Sequence, residues 1–211
     1  MFVLASASKA RQKLLNQIAL KHRVIVSDFD ETQLKELDPI LKVKFLAKGK
    51  AESALKKLIK ENQALNTFEA LLGCDSLFEF DGEIFEKPIN KEQLISRWQR
   101  MSGKSGFLHT GHYLISLDNS KSNIERISQN NSCEGVVSTK IEFMSLSNIE
   151  IIKYASIQEP YNCAGGFAIE GYGGLFIKKI EGCFSNVVGL SLPWLKTNLE
   201  KLGLSQLLLN R

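Results

Sequence analysis

The chain has 211 residues, 44% apolar and 24% charged, with a net charge of +4, which is the composition of a globular protein able to bury a sizeable core. No apolar run approaches the length of a membrane span, and Met1-Phe2-Val3-Leu4-Ala5-Ser6 lacks the basic start and long apolar stretch of a secretion signal, so a cytoplasmic protein without a membrane partner is expected. Lysines crowd Lys42 to Lys60 and recur at Lys178-Lys179, but without interleaved aromatics or a known reading motif, which argues against nucleic acid as a partner. Cys74, Cys133, Cys163 and Cys183 form no CxxC pair and no cysteine–histidine spacing of a zinc site; they are expected to be reduced thiols.

Taken in chain order, short apolar strands alternate with helical patterns, which predicts an α/β (mixed α+β) protein. Phe2 to Ala5 reads as a buried strand running into Ser6-Ala7-Ser8, where either serine can cap a helix with Leu14, Leu15 and Ile18 on one face. Arg23 to Ser27 reads as a second strand, closed by the acidic turn Asp28-Phe29-Asp30-Glu31. Asp38-Pro39 is a helix start, with aspartate as cap and proline in the first turn. The helix after it presents Leu41, Phe45, Leu46, Leu55, Leu58 and Ile59. Gly49 inside it costs about 1 kcal/mol against alanine; close approach of a ligand, close approach of another backbone, or a helix break would each account for it.

Phe68 to Cys74 and Leu77 to Phe80 are predicted strands, and Asp81-Gly82 is a two-residue hairpin signal leading to Glu83-Ile84-Phe85. Asn90 with Gln93 predicts a capping box for a helix carrying Leu94, Ile95, Trp98 and Met101. Strands are expected again around Leu114 to Leu117 and from Gly135 to Phe143, where Val137, Thr139, Ile141 and Phe143 alternate with polar neighbours. Ser147 and Glu150 form a second capping box for a helix with Ile151, Ile152 and Ala155 inward. Glycines are dense from Gly165 to Gly189 around a strand at Leu175 to Ile180, and a last helix runs from near Ser191 to near Gly203. There is no internal repeat.

Three groups of residues suit chemistry on a phosphate chain. Ser6, Ser8 and Arg11 stand where a strand runs into a helix start, a place with unpaired N–H groups and a favourable dipole for an anion; the same residues would also serve as an ordinary capped helix. Gly73-Cys74-Asp75-Ser76 reads as a strand end before a hairpin, where Asp75 can hold a metal or activate a water or simply solvate a loop. Glu31 or Asp28 can bring a second carboxylate, and magnesium needs only one or two. Lys87, ahead of Pro88, and Lys50 are point charges able to balance phosphate. His22, His109 and His112 fall at no metal-ligand spacing, and no serine stands in a nucleophile-elbow context, so covalent catalysis is not expected.

Set side by side, these segments resemble the Maf family of nucleotide pyrophosphatases over nearly the whole chain. The likeness lies in Leu4-Ala5-Ser6-Ala7-Ser8 through Arg11, Ser27-Asp28 through Glu31, Lys50-Ala51, Gly73-Cys74-Asp75-Ser76 through Gly82, Lys87 and Pro88, Met101-Ser102-Gly103 and Thr110-Gly111. It continues in Glu159-Pro160, Ala164 to Gly171 and Ile180 to Leu190, where the order and wording are similar throughout.

The resemblance implies one domain spanning residues 1–211, two-lobed, on a long curved mixed β-sheet flanked by helices, with the active site in the cleft (an ITPase-like fold). It implies hydrolysis of canonical or modified nucleoside triphosphates to monophosphate and pyrophosphate with a divalent metal, Mg2+ or Mn2+. By position, Asp75 matches the proton acceptor. Ser6, Ser8, Arg11, Lys50 and Lys87 match the phosphate-binding set, and Glu31 with Asp75 the metal side. Two branches of the family, one preferring dTTP and UTP and the other 7-methyl-GTP, differ at the positions of Ala10, Ser76 and Glu170. Ala10 and Ser76 fit neither branch cleanly, Glu170 leans to the second while the surrounding Ala168-Ile169 leans to the first, and Gly106 replaces a usual histidine. The alternative reading is a non-catalytic nucleotide-binding regulator of cell division on the same fold. A symmetric homodimer is the expected assembly.

Overall fold

The structure, a computed structural model, describes residues 1–30, 38–61, 67–117 and 131–209. Its elements are β1 (Phe2–Leu4), α1 (Lys9–Gln17), β2 (His22–Val24), α2 (Pro39–Lys60), β3 (Ala70–Phe80), β4 (Glu83–Phe85), α3 (Lys91–Met101), β5 (Ser105–Ser116) and β6 (Ser132–Phe143). They continue with α4 (Asn148–Tyr154), β7 (Ile177–Glu181), α5 (Phe184–Val188), α6 (Leu192–Lys201) and α7 (Gln206–Leu209). The strands pair in the order β2-β1-β3-β5-β6-β7, with β4 also on β3. β1 is parallel to β2 and β3, whereas β3–β4 and β6–β7 are antiparallel. The result is a seven-stranded mixed sheet flanked by helices, the α/β class the alternation predicts. Among the described residues no helix is long and apolar enough to cross a membrane.

Two compact units share the chain. The first comprises Met1–Asp75, Thr110–Val136 and Gly189–Arg211; the second comprises Ser76–His109 and Val137–Val188. The boundary falls within β3, β5 and β6, so each of these strands belongs partly to both.

In the first unit, β1 has neighbours on both edges and all three of its residues are buried, as a parallel strand covered on both faces should be. Helix α2 starts where Asp38 accepts from Ile40 N at 2.9 Å and Leu41 N at 3.3 Å. It is unbroken through Gly49 and buries Val43, Leu46, Ala47, Ala51, Ala54, Leu55 and Leu58. Leu41 and Phe45, expected inward, are 46% and 49% exposed. The reason is that α2 meets the sheet through glycines. A Cβ on Gly73 would run into Ala47 O and lie 2.8 Å from Ala51 N, and one on Gly111 would run into Val43 O. That row of close contact fixes the helix rotation and turns Leu41 and Phe45 outward.

β3 corrects the expectation of two strands broken at Gly73–Ser76. It is one strand of eleven residues, so Asp75 stands in mid-strand. Small and polar residues there resemble turn chemistry, but Gly73 is small because α2 lies on it. β2 is shorter than expected and shifted, because pairing with the three-residue β1 ends at Leu4↔Val24.

In the second unit, Asp81 and Gly82 have φ of 54° and 76°, the left-handed pair of a type I′ hairpin. Asn90 caps α3 through Gln93 N at 2.8 Å, but Gln93 Oε1 accepts from Ile89 N rather than from Asn90, so the capping box is half formed. At α4 both bonds of the Ser147–Glu150 box are present. Ile151, Tyr154 and Ala155 face inward there, while Ile152, expected inward, is exposed because it falls about 100° from Ile151 around the helix. Around Trp98 the core is aromatic, with edge contacts to Phe143 at 5.3 Å, Tyr154 at 5.5 Å and Phe176 at 5.6 Å. The glycine-rich stretch forms 3-10 turns at Glu159–Asn162, Ala164–Gly166 and Tyr172–Phe176, which pushes β7 to start at Ile177. β5 and β6 begin earlier than expected, at Ser105 and Ser132.

Candidate functional site

The first unit gathers the N-terminal serines, Arg11, Lys50 and Asp75. β1 delivers Ser6, whose Oγ accepts from Ser8 N at 3.3 Å and from Arg11 Nη1 at 2.8 Å. Ser8 caps α1 by accepting from Arg11 N at 3.4 Å. Arg11 Nε donates to Gly189 O at 2.7 Å, and the residue is only 7% exposed, so this is not a solvated surface arginine. The first turn of α1 holds no acidic residue, and the dipole at that end is unopposed within the helix. Ala10 is half-buried in the same turn.

Lys50 Nζ lies 2.5 Å from Asp75 Oδ1, with the two side chains 16% and 15% exposed. Next along β3, the Cys74 thiol is buried and pushed up to about 12, first by desolvation, while the nearby charges of Arg11 and Lys50 pull down and that of Asp75 pushes up. One thiol thus feels all three groups, which places Arg11, Lys50 and Asp75 in one neighbourhood.

The acidic turn packs on α2. Asp28 N donates to Ser53 Oγ at 3.1 Å, and Lys57 reaches Asp28 at 3.4 Å. Phe29 bears on the Gly49 question, since a Cβ at Gly49 would fall on the Phe29 ring; the close approach there is by a side chain and not by another backbone. Asp28, Phe29, Asp30, Gly49, Glu52, Ser53 and Lys56 line a pocket of about 350 Å3. Glu31 lies outside the described residues.

The second unit holds Ser76, Lys87 and Glu170. Lys87 and Glu170 are exposed and Ser76 half-buried. Pro88 fixes the Lys87 loop by packing where a Cβ on Gly166 would lie 3.0 Å from its ring. The Cys163 thiol is pushed up to about 11 by burial, then by the carboxylates of Glu170 and Glu159, with Lys87 opposing. Lys87 and Glu170 therefore both act on the Cys163 thiol. Gly106 cannot carry the histidine common in the resembling family, because a Cβ there would run into the Phe78 ring and lie 2.6 Å from Glu79 O.

With this geometry in view, the sequence model described as Maf-like protein matches residues 1–202. The chain belongs to the Maf family. It is 86% identical over 211 residues to a protein named nucleoside triphosphate pyrophosphatase from Prochlorococcus marinus (strain NATL1A), covering 100% of both chains. It is 84% identical to one of the same name from strain NATL2A, again over 100% of both. A third so named, from a further strain of the same species, is 51% identical over 97% of this chain and 99% of its own. The solved structure of the Staphylococcus aureus Ham1 protein aligns with 67% of this chain and 71% of its own at 14% identity and a TM-score of 0.39.

Three features of this Maf chain are not marked by any sequence pattern, because their contacts are made only by the fold. His112 is fully buried, accepts from Ser191 N at 3.0 Å and stacks on Trp194 at 4.7 Å. Burial and the charge of Arg11 push it down to about 3, so it is a neutral acceptor. Ser138, His109 and Glu79 form a chain of bonds at 2.7 and 3.1 Å across β6, β5 and β3. It has the order of a nucleophile, base and orienting carboxylate. However, Ser138 lies inside strand β6 rather than at a strand-to-helix turn, and a strand offers no helix start whose N–H groups could hold an oxyanion. The third is the carboxylate of Glu159, which accepts from two backbone N–H groups and a tyrosine hydroxyl.

A divalent ion needs carboxylate or imidazole donors from the chain. Among the described residues no three of His, Cys, Asp and Glu converge as a cation cluster. The half-buried Asp75 carboxylate beside Lys50 has the chemistry for an ion that keeps most of its waters and needs only one or two carboxylates.

Proposed function

We propose that this Maf protein hydrolyses nucleoside triphosphates to the monophosphate and pyrophosphate, with Asp75 as general base. The activity is supported by the relatives of that name at 86% and 84% identity over the full length. The mechanism is carried by one observation, the half-buried Asp75 paired to Lys50. In the chain alone, the Lys50 ammonium holds one oxygen of the carboxylate. An entering triphosphate offers that ammonium a more highly charged partner and leaves the Asp75 oxygen to accept a proton from water. The water attacks the α-phosphorus in line, the bond to the bridging oxygen of the β-phosphate breaks, and pyrophosphate leaves.

Phosphoryl transfer needs positioning and charge neutralisation more than covalent help. Arg11, already braced by Ser6 and Gly189, offers a fixed guanidinium edge, and the start of α1 capped by Ser8 favours an anion. Lys87 is assigned to the same phosphate chain. Mg2+ or Mn2+, held by Asp75 with Glu31 as second carboxylate, would supply Lewis-acid stabilisation of phosphate charge. Ala10, Ser76 and Glu170 are assigned to base selectivity.

The test is pyrophosphate release from dTTP, UTP, 7-methyl-GTP and other triphosphates, with magnesium, with manganese and with EDTA. Asp75→Asn keeps a partner for Lys50 and should lose about 10^2- to 10^4-fold in kcat while staying folded. Near-normal turnover in that variant would remove Asp75 from the mechanism. No release from any triphosphate by a folded protein that binds nucleotide would move the assignment to a non-catalytic regulator.

A further inference from the structure

We infer that Glu159 is a positioning residue that sets which nucleotide is accepted, by holding the loop of residues 168–173 that carries Glu170. The inference rests on the proposed assignment of Glu170 to base selectivity and names the residue that controls it.

Glu159 is half-buried and its carboxylate is nearly saturated with donors from that loop and its support. Oε2 accepts from Tyr172 N at 2.8 Å, and Oε1 accepts from Gly173 N at 2.9 Å and from Tyr154 OH at 3.0 Å. Tyr154 extends the hold to the other end of the loop, since its hydroxyl accepts from Ala168 N at 3.4 Å. Its ring also stacks on Tyr172 with centroids 6.0 Å apart. Glu170 is therefore pinned from both sides through one carboxylate and one phenol.

The loop's glycines point independently to the same arrangement. A Cβ on Gly171 would run into the Glu159 carboxylate, and one on Gly173 would lie 2.5 Å from Tyr154 OH and 2.8 Å from Ala168 O. The loop has no side chains where Glu159 and Tyr154 enter. A carboxylate is the group that fits, because an ionised one only accepts and can face two backbone N–H groups and a hydroxyl together. Cys163 feels the charges of Glu170, Glu159 and Lys87, so the loop's glutamate lies in one neighbourhood with the lysine assigned to phosphate.

Glu159→Gln is the sharp test. Glutamine has the same shape but must turn its NH2 toward either Tyr172 N or Gly173 N, opposing donor with donor and releasing one side of the loop. The measurement is kcat/KM for dTTP, UTP and 7-methyl-GTP in wild type, Glu159→Gln, Tyr154→Phe and Glu170→Gln, with thermal midpoints alongside. The expected result is a change of about tenfold or more in the ratio between 7-methyl-GTP and the pyrimidines in Glu159→Gln, on the scale of one charged hydrogen bond. Tyr154→Phe should give a smaller change in the same direction, and it carries the test if Glu159→Gln fails to fold.

A ratio changed by both Glu159→Gln and Glu170→Gln supports the inference, whereas a ratio changed by Glu159→Gln alone overturns it, because Glu159 would then not act through Glu170. A ratio altered by Glu170→Gln but not by Glu159→Gln overturns the inference and leaves the function intact. Equal loss on all substrates with a fallen midpoint reduces Glu159 to a structural staple and overturns it too. Absence of turnover in the wild type would overturn the pyrophosphatase reading first, and this inference with it.

Discussion

Arg11 shows how a short motif is completed by contacts the motif does not contain. The serine–arginine spacing was legible as a helix start suited to phosphate, but Gly189 O, which fixes Nε, is supplied 178 positions away. Lysine at position 11 cannot reach Ser6 and Gly189 together, since it offers one donor centre where arginine offers a fork. Arg11→Lys is expected to raise KM for triphosphates at least tenfold and to cost about 1–3 kcal/mol in urea unfolding. His112 gives a pH prediction. In the native state it is pushed down to about 3, whereas an unfolded histidine titrates near 6.5. Between those values the unfolded chain binds a proton that the native chain does not. The stability His112 contributes is therefore fully present above about pH 6.5 and is lost as pH falls toward 3, by up to about 1.4 kcal/mol per pH unit. His112→Phe should flatten that acid slope while costing about 1–3 kcal/mol at neutral pH, because Ser191 N loses its acceptor. Urea titrations at pH 7 and near pH 4.5 would check both. No pattern in the sequence marks His112 as neutral; only burial beside Arg11 does.

At the scale of elements, caps and hairpins were readable because their chemistry is local. Asp38, Ser147 with Glu150, Ser191 and Asp81-Gly82 all act where expected. The continuity of β3 through Gly73 was not, because a glycine that admits a helix and a glycine that makes a turn look alike in one dimension. The contact of α2 with Gly73 of β3 and Gly111 of β5 decides which face of the helix is buried. It also brings Lys50 within reach of Asp75. Gly73→Ala, which adds one methyl group against Ala47 O and Ala51 N, should destabilise by about 1–3 kcal/mol and lower kcat together with stability, since α2 must lift and carry Lys50 away. Gly49→Ala, normally a gain of about 1 kcal/mol in a helix, should instead be a loss, because its Cβ meets the Phe29 ring. Circular dichroism and denaturation of the two variants against wild type would test both.

For the whole molecule, composition and alternation were enough to read a mixed α/β protein, and the order of the motifs was enough to read the family. The division of β3, β5 and β6 between two units was not legible, because each strand's hydrophobic pattern runs on through the boundary. The two units differ in their cores. That of the first is built from Ala47, Ala51, Ala54 and branched aliphatics, that of the second from Trp98, Phe78, Phe143, Tyr154 and Phe167. The chain's two tryptophans, Trp98 and Trp194, fall one in each unit. Single-tryptophan variants Trp98→Phe and Trp194→Phe therefore follow the units separately. Three shared strands predict coincident fluorescence midpoints in urea, whereas separated midpoints would show that each unit unfolds on its own.

The buried Cys74 thiol gives the protein a timer beside its proposed catalytic group. A thiol pushed up to about 12 carries almost no thiolate at neutral pH, and the thiolate is the form that reacts. Alkylating reagents should spare Cys74 until β1, β3 and α2 separate, so its labelling rate in native buffer measures the opening free energy of the layer that carries Asp75. A nucleotide that settles on Arg11 and Lys50 should slow that clock in proportion to its occupancy, giving a readout of binding that does not depend on turnover.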